Sequence, residues 1–291
     1  MPTLPQFLSQ AFNGLAFGSL LALVSSGLTI ILGTLGVLNF AHGAMFMLGA
    51  YAAFVTLSYL HSYLAALAIG AVALLVIGLV LERGLIRLYY HRPPEDQILV
   101  TFGLGIMLVE AARFIFGNLS QRVPIPSWGE GIVDFGYFIY PSYRVEVIAI
   151  VAALLLVFYL VLYRTRLGLI VRAGIEDATM VGLLGLNVRR MFMIVFALGA
   201  VAAGIAGVIY APLAAVQPDM GGPFLVQAFV VVVIGGLGSF PGAVVGGIVV
   251  GEILSLTTLF NPAYAQAAIY AVMALVLTVR PRGLFGTEGR K

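Results

Sequence analysis

The 291-residue sequence contains no cysteine, a single lysine and three histidines, and only 9% of its residues are charged. Each scarcity excludes something. Without cysteine there is no disulfide framework and no thiolate metal site. The lysine is Lys291, the last residue, and no GxxxxGK[ST] string occurs, so the chain cannot cradle a nucleotide in a P-loop. His42, His61 and His91 lie far apart, no HExxH is present and no His, Asp and Glu cluster has ligand spacing, so no metal and no cofactor is expected. A soluble domain is about half apolar and about a quarter charged. Here 62% of residues are apolar, which leaves too little polar surface for a water-soluble globule. An ordinary soluble enzyme, a disordered chain and a nucleic-acid binder are excluded together. The opening MPTLPQFLSQ has no basic residue, so no cleaved signal peptide is expected and the first apolar segment reads as a retained span.

What is present is a series of long apolar runs, at about 7–32, 41–60, 62–81, 97–116, 143–163, 191–211, 224–241, 243–258 and 263–279. A transmembrane helix needs about 20 apolar residues, and backbone groups in lipid must be satisfied internally. The expectation is an all-α integral membrane protein with about 8–9 spans in a single polytopic domain over 1–291. Glycine-broken or re-entrant elements are expected near 33–43 and 235–242, where the second reads either as two short crossings or as one broken element. No charged residue precedes Glu82. Twelve of the 15 basic residues fall in Glu82–Asp96, Arg164–Arg190 and the tail from Arg280, and the other three are Arg113, Arg122 and Arg144. Basic loops stay in the cytoplasm. Those three stretches are therefore expected to be cytoplasmic, as is the C-terminus, with the N-terminus and an external loop at about 117–142 on the other side. Trp128, Tyr137 and Tyr140 read as aromatic interface anchors in that loop. An even number of crossings after Arg190 favours splitting the Gly235 region. The string Ile31–Gly36 resembles Val233–Gly238, which reads either as a parallel internal repeat or as chance.

No constellation points to an intramembrane enzyme, which leaves a conduit or a structural membrane subunit. Candidate pathway residues sit in the two glycine interruptions: Asn39, Phe40, His42 and Gly43 in the first, Gly235, Gly236 and Gly238 in the second. Transporters place substrate sites at broken helices because freed backbone groups can line a cavity. The competing reading is an interfacial turn, with Asn39 capping the next helix and His42 meeting water. The stretch at about 164–190 has the spacing of short amphipathic helices, with Glu176 and Asp177 near a helix start, where the dipole favours acids. It serves either as a docking surface or as a passive helix among the headgroups. Glu252 falls mid-span, where a carboxylate costs about 2.5–3.5 kcal/mol. It is a proton-coupling group or a structural hydrogen-bonding one. Glu110 and Arg113 are spaced for a local pair. Gly199, Ala203 and Gly207 offer a close-packing face.

The segments GLTIILGTLGVLNFAHGAMFMLGAY, RLGLIVRAGIEDATMVGLLGLNVRRMFMIVFALGAVAAGIAGVIYAP, VIGGLGSFPGAVVGG and VRPRGLFG resemble, in order, the motifs of the bacterial branched-chain amino-acid ABC transporter permeases. Length and the NFAHG string fit the shorter, Liv-type, high-affinity permease of that family. The resemblance implies an inner-membrane, multi-pass importer subunit that is not an enzyme. It implies a second homologous permease, two cytoplasmic ATP-binding subunits and a periplasmic substrate-binding protein as partners, with membrane lipid around it and no nucleic acid. It raises docking for the cytoplasmic loop, with Arg172, Glu176, Asp177, Gly182 and Gly185 as ATPase-coupling residues. Glu176–Gly182 loosely resembles the EAA-x-x-x-G pattern of other importers, from which Asp177 departs. The rival readings are an ion-coupled secondary transporter of small polar solutes using Glu252, a permease for urea or amides, and a structural subunit without a pathway.

Overall fold

The computed structural model describes residues 2–90 and 92–286. Among them are ten α-helices: α1 (Leu4–Leu35), α2 (His42–Leu60), α3 (Tyr63–Gly84), α4 (Pro94–Phe116), α5 (Ser142–Arg164), α6 (Arg166–Leu183), α7 (Val188–Tyr210), α8 (Gly221–Gly235), α9 (Phe240–Phe260) and α10 (Ala265–Val279). Nine helical segments are long and apolar enough to cross a membrane. Those of α8 and α10 count the short 3-10 turns that precede them, and α6 is the helix left out. The Gly235 region is split, as the crossing count required: α8 and α9 are separate helices joined by four residues.

The packing follows from side-chain size. Lipid is as apolar as leucine, so helices associate where small residues let backbones approach. α1 is buried along most of its length because Gly18 lies on the Gly247 carbonyl of α9 and Gly27 on the Gly199 carbonyl of α7. In each case a Cβ would come within 2.8 Å of that oxygen. α7 continues the pattern: Gly204 meets α2 at Gly49 and α3 at Leu74, and Ala203 has no exposed surface. α3, α4, α5 and α10 form the rim, with most of their apolar side chains facing outward.

Three basic stretches meet at one end. Tyr90 packs edge-on against Phe192 at the start of α7, with centroids 5.0 Å apart. Its hydroxyl donates to the buried Glu82 carboxylate at 2.6 Å. Burial first, then that hydrogen bond, holds the Tyr90 hydroxyl above the ordinary phenol range. The tail returns to the same end, where Leu284 N donates to Ile234 O and Phe285 N to Gly235 O. His91, Arg290 and Lys291 lie outside the described residues. At the opposite end the segment 117–142 carries a small hairpin, β1 (Ile132–Asp134) paired with β2 (Ile139–Pro141). Phe12 of α1 packs against Phe135, Phe138 and Tyr140 of this segment. The aromatic-anchor expectation needs one correction. Tyr137 and Trp128 are exposed, but Tyr140 is buried and donates to Asn13 Oδ1 at 2.8 Å, so it ties the cap to α1 instead of facing an interface.

Candidate functional site

α1 ends where Gly36 takes a left-handed conformation at φ +70°, available to glycine at little cost. The next residues do not run along a membrane surface. His42 Nε2 donates to the carbonyl of Val24 at 3.0 Å. Val24 precedes the end of α1 by eleven residues, about 16 Å along its axis. Residues 37–41 therefore climb back beside α1 in non-helical form, and α2 begins inside the membrane layer. Part of their backbone is hydrogen-bonded at that depth. Thr101 Oγ1 of α4 donates to Leu38 O at 2.9 Å, and Ala41 N donates to Asn39 Oδ1 at 3.1 Å.

This geometry overturns the interfacial-turn reading. Asn39 and His42 have no exposed surface, so His42 does not meet water, and Asn39 bonds inside the turn while Ala41 holds the cap position. The four candidates of this break divide into two pairs. Asn39 and His42 hold the re-entrant chain in place; Phe40 and Gly43 line a cavity of about 370 Å³ between α4 and α8. Phe40 lies 5.0 Å from Phe229 and 6.4 Å from Phe102, centroid to centroid. Gly43 abuts Gly221, so the starts of α2 and α8 meet backbone to backbone.

The second break lies at the basic end. Gly236 and Gly238 have φ of +103° and +80°, and Gly235 packs on Gly242 across the α8–α9 turn. The two breaks touch: a Cβ on Gly33 would fall 2.7 Å from Cα of Gly238. Ile175 of α6 fills the space beside both, with Cδ1 toward Gly33 and Cγ2 toward Gly238. Gly235, Gly236 and Gly238 thus belong to a packed joint, and none of them lines the cavity of Phe40 and Gly43.

α6 is two short helices joined at Asp177, whose φ of −154° and ψ of 98° break the helical run. Asp177 Oδ1 accepts from Thr179 N and Met180 N at 2.8 and 2.9 Å, capping the second piece as the acid-at-helix-start reading anticipates. Gly185, at φ +81°, closes it in a Schellman arrangement, with Leu186 N on Val181 O and Gly185 N on Gly182 O. Arg172 is committed internally: it donates to Leu162 O at 2.6 Å and lies over the Tyr163 ring, so it clamps α6 to α5. Glu176, Asp177 and Gly182 are exposed, as are Arg189 and Arg190. Between them Met180, Leu183 and Leu184 project outward, the two leucines 78% and 73% exposed. The helix is therefore buried on the Ile175 side and presents an apolar patch ringed by charges on the other.

Glu252 lies half-buried against α1, its carboxyl over Gly14, and makes no hydrogen bond among the described residues. Glu110 and Arg113 pair as their spacing indicates. Asp219, which precedes α8, completes the group by taking two bonds from Arg113 Nη2 at 3.0 Å. Two residues therefore escape sequence reasoning. Asp219 is 106 positions from its partner. Ile175 is one of many aliphatic residues, and only the meeting of the two glycine turns gives it a position of consequence. Among the described residues no group of three His, Asp or Glu is placed to hold a metal.

Nine helices among the described residues that are long and apolar enough to cross a membrane, buried polar breaks and an amphipathic helix seated under the helix turns define a multi-pass membrane protein of the permease kind. The chain belongs to the family described as branched-chain amino acid transport system / permease component, which matches residues 10–277. It is 31% identical to the high-affinity branched-chain amino acid transport system permease protein BraD of Pseudomonas aeruginosa, over 98% of both chains. Identity to the protein of the same description named LivH in Escherichia coli K12 is also 31%, over 96% of each. The longer LivM of that organism is 28% identical over 89% of this chain and 66% of its own length.

Proposed function

We propose that this chain is the permease subunit of an ATP-driven importer of branched-chain amino acids in a bacterial inner membrane, with its basic end and C-terminus in the cytoplasm. A second, homologous permease completes the pathway, two ATP-binding subunits dock from the cytoplasm and a periplasmic binding protein delivers the amino acid. The names of BraD and LivH support the substrate class, and the similarity to LivM supports a paired permease. The positive-inside bias supports the orientation.

The observation that carries the reading is Ile175 seated between Gly33 and Gly238 beneath the exposed Met180, Leu183 and Leu184 patch. An ATPase subunit closing on ATP pushes on that patch. The displacement passes from the second piece of α6, ordered by the Asp177 cap, across the break to the first piece, which Arg172 holds against α5. Ile175 transmits it to the ends of α1 and α8 at once. The turns that end these helices rest on Gly36, Gly236 and Gly238, whose missing side chains leave the backbone room to readjust. α1 and α8 both border the re-entrant segment 37–41, so the motion reaches Phe40 and Gly43.

The test is reconstitution. The chain is purified with its ATP-binding and permease partners, placed in liposomes, and assayed for uptake over a panel of amino acids, amides and urea. ATP-dependent uptake of leucine, isoleucine and valine that requires the binding protein is expected. Uptake by this chain alone on a pH gradient would establish the secondary-transporter reading through Glu252 instead.

A further inference from the structure

The α4–α8 cavity combines features that an importer of apolar amino acids needs in one place. Arg113 sits on its wall with Glu110 on one side and Asp219 on the other. The guanidinium has five N–H donors, and the two carboxylates take three bonds from it. Nε is buried without a hydrogen-bond partner in the structure. Two carboxylates around one guanidinium leave the group one negative charge in excess. Below it Phe40, Phe102, Ile106 and Leu225 make the rest of the wall apolar.

This polar group is not placed for lipid. Glu110 and Asp219 side chains are 56% and 73% exposed, and Arg113 is 30% exposed. Further along α4, toward the opposite end, Phe114 and Ile115 are exposed on the same rim helix. An ionised side chain facing hydrocarbon is costly, so the face carrying these three groups borders water or a polar partner.

We infer that the cavity bounded by Phe40, Arg113 and Asp219 is a transient binding site for the zwitterionic amino acid during its passage. The α-carboxylate pairs with Arg113, the α-ammonium with Asp219 and Glu110, and the branched side chain lies against Phe40, Phe102 and Ile106. The ligand is neutral overall, so the group keeps its one excess negative charge: Arg113 exchanges protein carboxylates for the ligand's, and the ammonium takes the place of Arg113 beside Asp219 and Glu110. That exchange also makes the site weak, as a pathway requires. The inference rests on the amino-acid reading above.

The absence of cysteine supplies the experiment. Ile106→Cys introduces a single thiol into this chain, and the reconstituted complex is exposed to a membrane-impermeant methanethiosulfonate, with modification of this chain followed by mass spectrometry. Millimolar leucine is expected to slow modification. Leucinamide, which lacks the carboxylate, and 4-methylpentanoate, which lacks the ammonium, are expected to leave it unchanged. Adding Arg113→Gln should weaken leucine protection about tenfold or more, as loss of a charge-assisted pair implies, whereas Arg113→Lys should retain part of it. A thiol that the reagent never reaches would overturn the site, because the face is then covered by the partner permease or by lipid. So would leucine protection that is indifferent to Arg113→Gln. Uptake measured on the unsubstituted complex separates the two claims. If it imports no branched-chain amino acid the functional reading falls, and if it imports them without protecting the thiol only this site falls.

Discussion

Ile175→Ala tests the joint at its narrowest point. The side chain turns Cδ1 toward the turn at Gly33 and Cγ2 toward the turn at Gly238, and alanine has neither atom. Truncating a fully buried isoleucine costs about 2–5 kcal/mol. Ile175 is half-buried, so the loss is about 1–2 kcal/mol, shared between the two turns and the core it packs against. α6 stays in place, because Arg172 still bonds Leu162 O and Val171 and Val181 remain buried. The ATPase patch of Met180, Leu183 and Leu184 is untouched. The variant should therefore assemble and hydrolyse ATP, but transmit less of each closure to α1 and α8. Because 1.4 kcal/mol is a factor of ten, the amino acid imported per ATP hydrolysed should fall about five- to thirtyfold. Both quantities are read from the same proteoliposomes, ATP consumption by phosphate release and import by trapped label. An unchanged ratio at normal expression would refute the coupling route. A proportionate loss of import and hydrolysis would mean that Ile175 serves assembly and not transmission.

Two further perturbations follow from the same end of the molecule. Leu183→Asp with Leu184→Asp places charge on side chains already 78% and 73% exposed, so thermal stability should change by no more than about 0.5 kcal/mol. Co-purification of the ATP-binding subunit should be lost, and its retention would show that the patch is not the docking surface. Tyr90→Phe removes the donor to buried Glu82 and should cost about 1–3 kcal/mol, read as a lower Tm of the detergent-solubilised protein. The Tyr90 hydroxyl is raised above its ordinary value, so its contribution is complete below about pH 10 and fades only above it. The Tm deficit should therefore be the same at about pH 6 and about pH 9, and a deficit that vanishes within that range would contradict this account.

The crossings were legible because lipid imposes a single rule on them, that a span must be apolar over its length and helical throughout. The cap at Asp177 was legible too, since an acid followed by an apolar periodic run has few other uses. The depth of α2 was not. Asn39 and His42 between two apolar runs fit a surface turn as well as a buried one. What decides between them is the Val24 carbonyl, a backbone group that leaves no mark in composition. The Arg113–Asp219 pair was hidden for a related reason. Each partner has an adequate local explanation, Arg113 in Glu110 and Asp219 in the turn before α8, and only the meeting of α4 with α8 joins them.

The likeness of Ile31–Gly36 to Val233–Gly238 admits an explanation that needs no duplication. Both strings end a helix at the basic end, and both reverse the chain through glycines at positive φ. At Gly33 a side chain would strike Cα of Gly238, so each turn restricts what the other can carry at the point of contact. Ile175 faces both, which requires apolar and compact surroundings on either side. Two segments that must each terminate a helix, turn tightly and pack on the other and on a shared side chain converge on β-branched residues followed by Gly-x-x-Gly. On this account a bulky residue at Gly33 and one at Gly238 disturb the same joint, and their combined effect on import falls well short of the sum of the two alone. An ancestral repeat carries no such expectation. Additive losses in the double variant Gly33→Val with Gly238→Ala would separate the two turns and leave the resemblance to ancestry or chance.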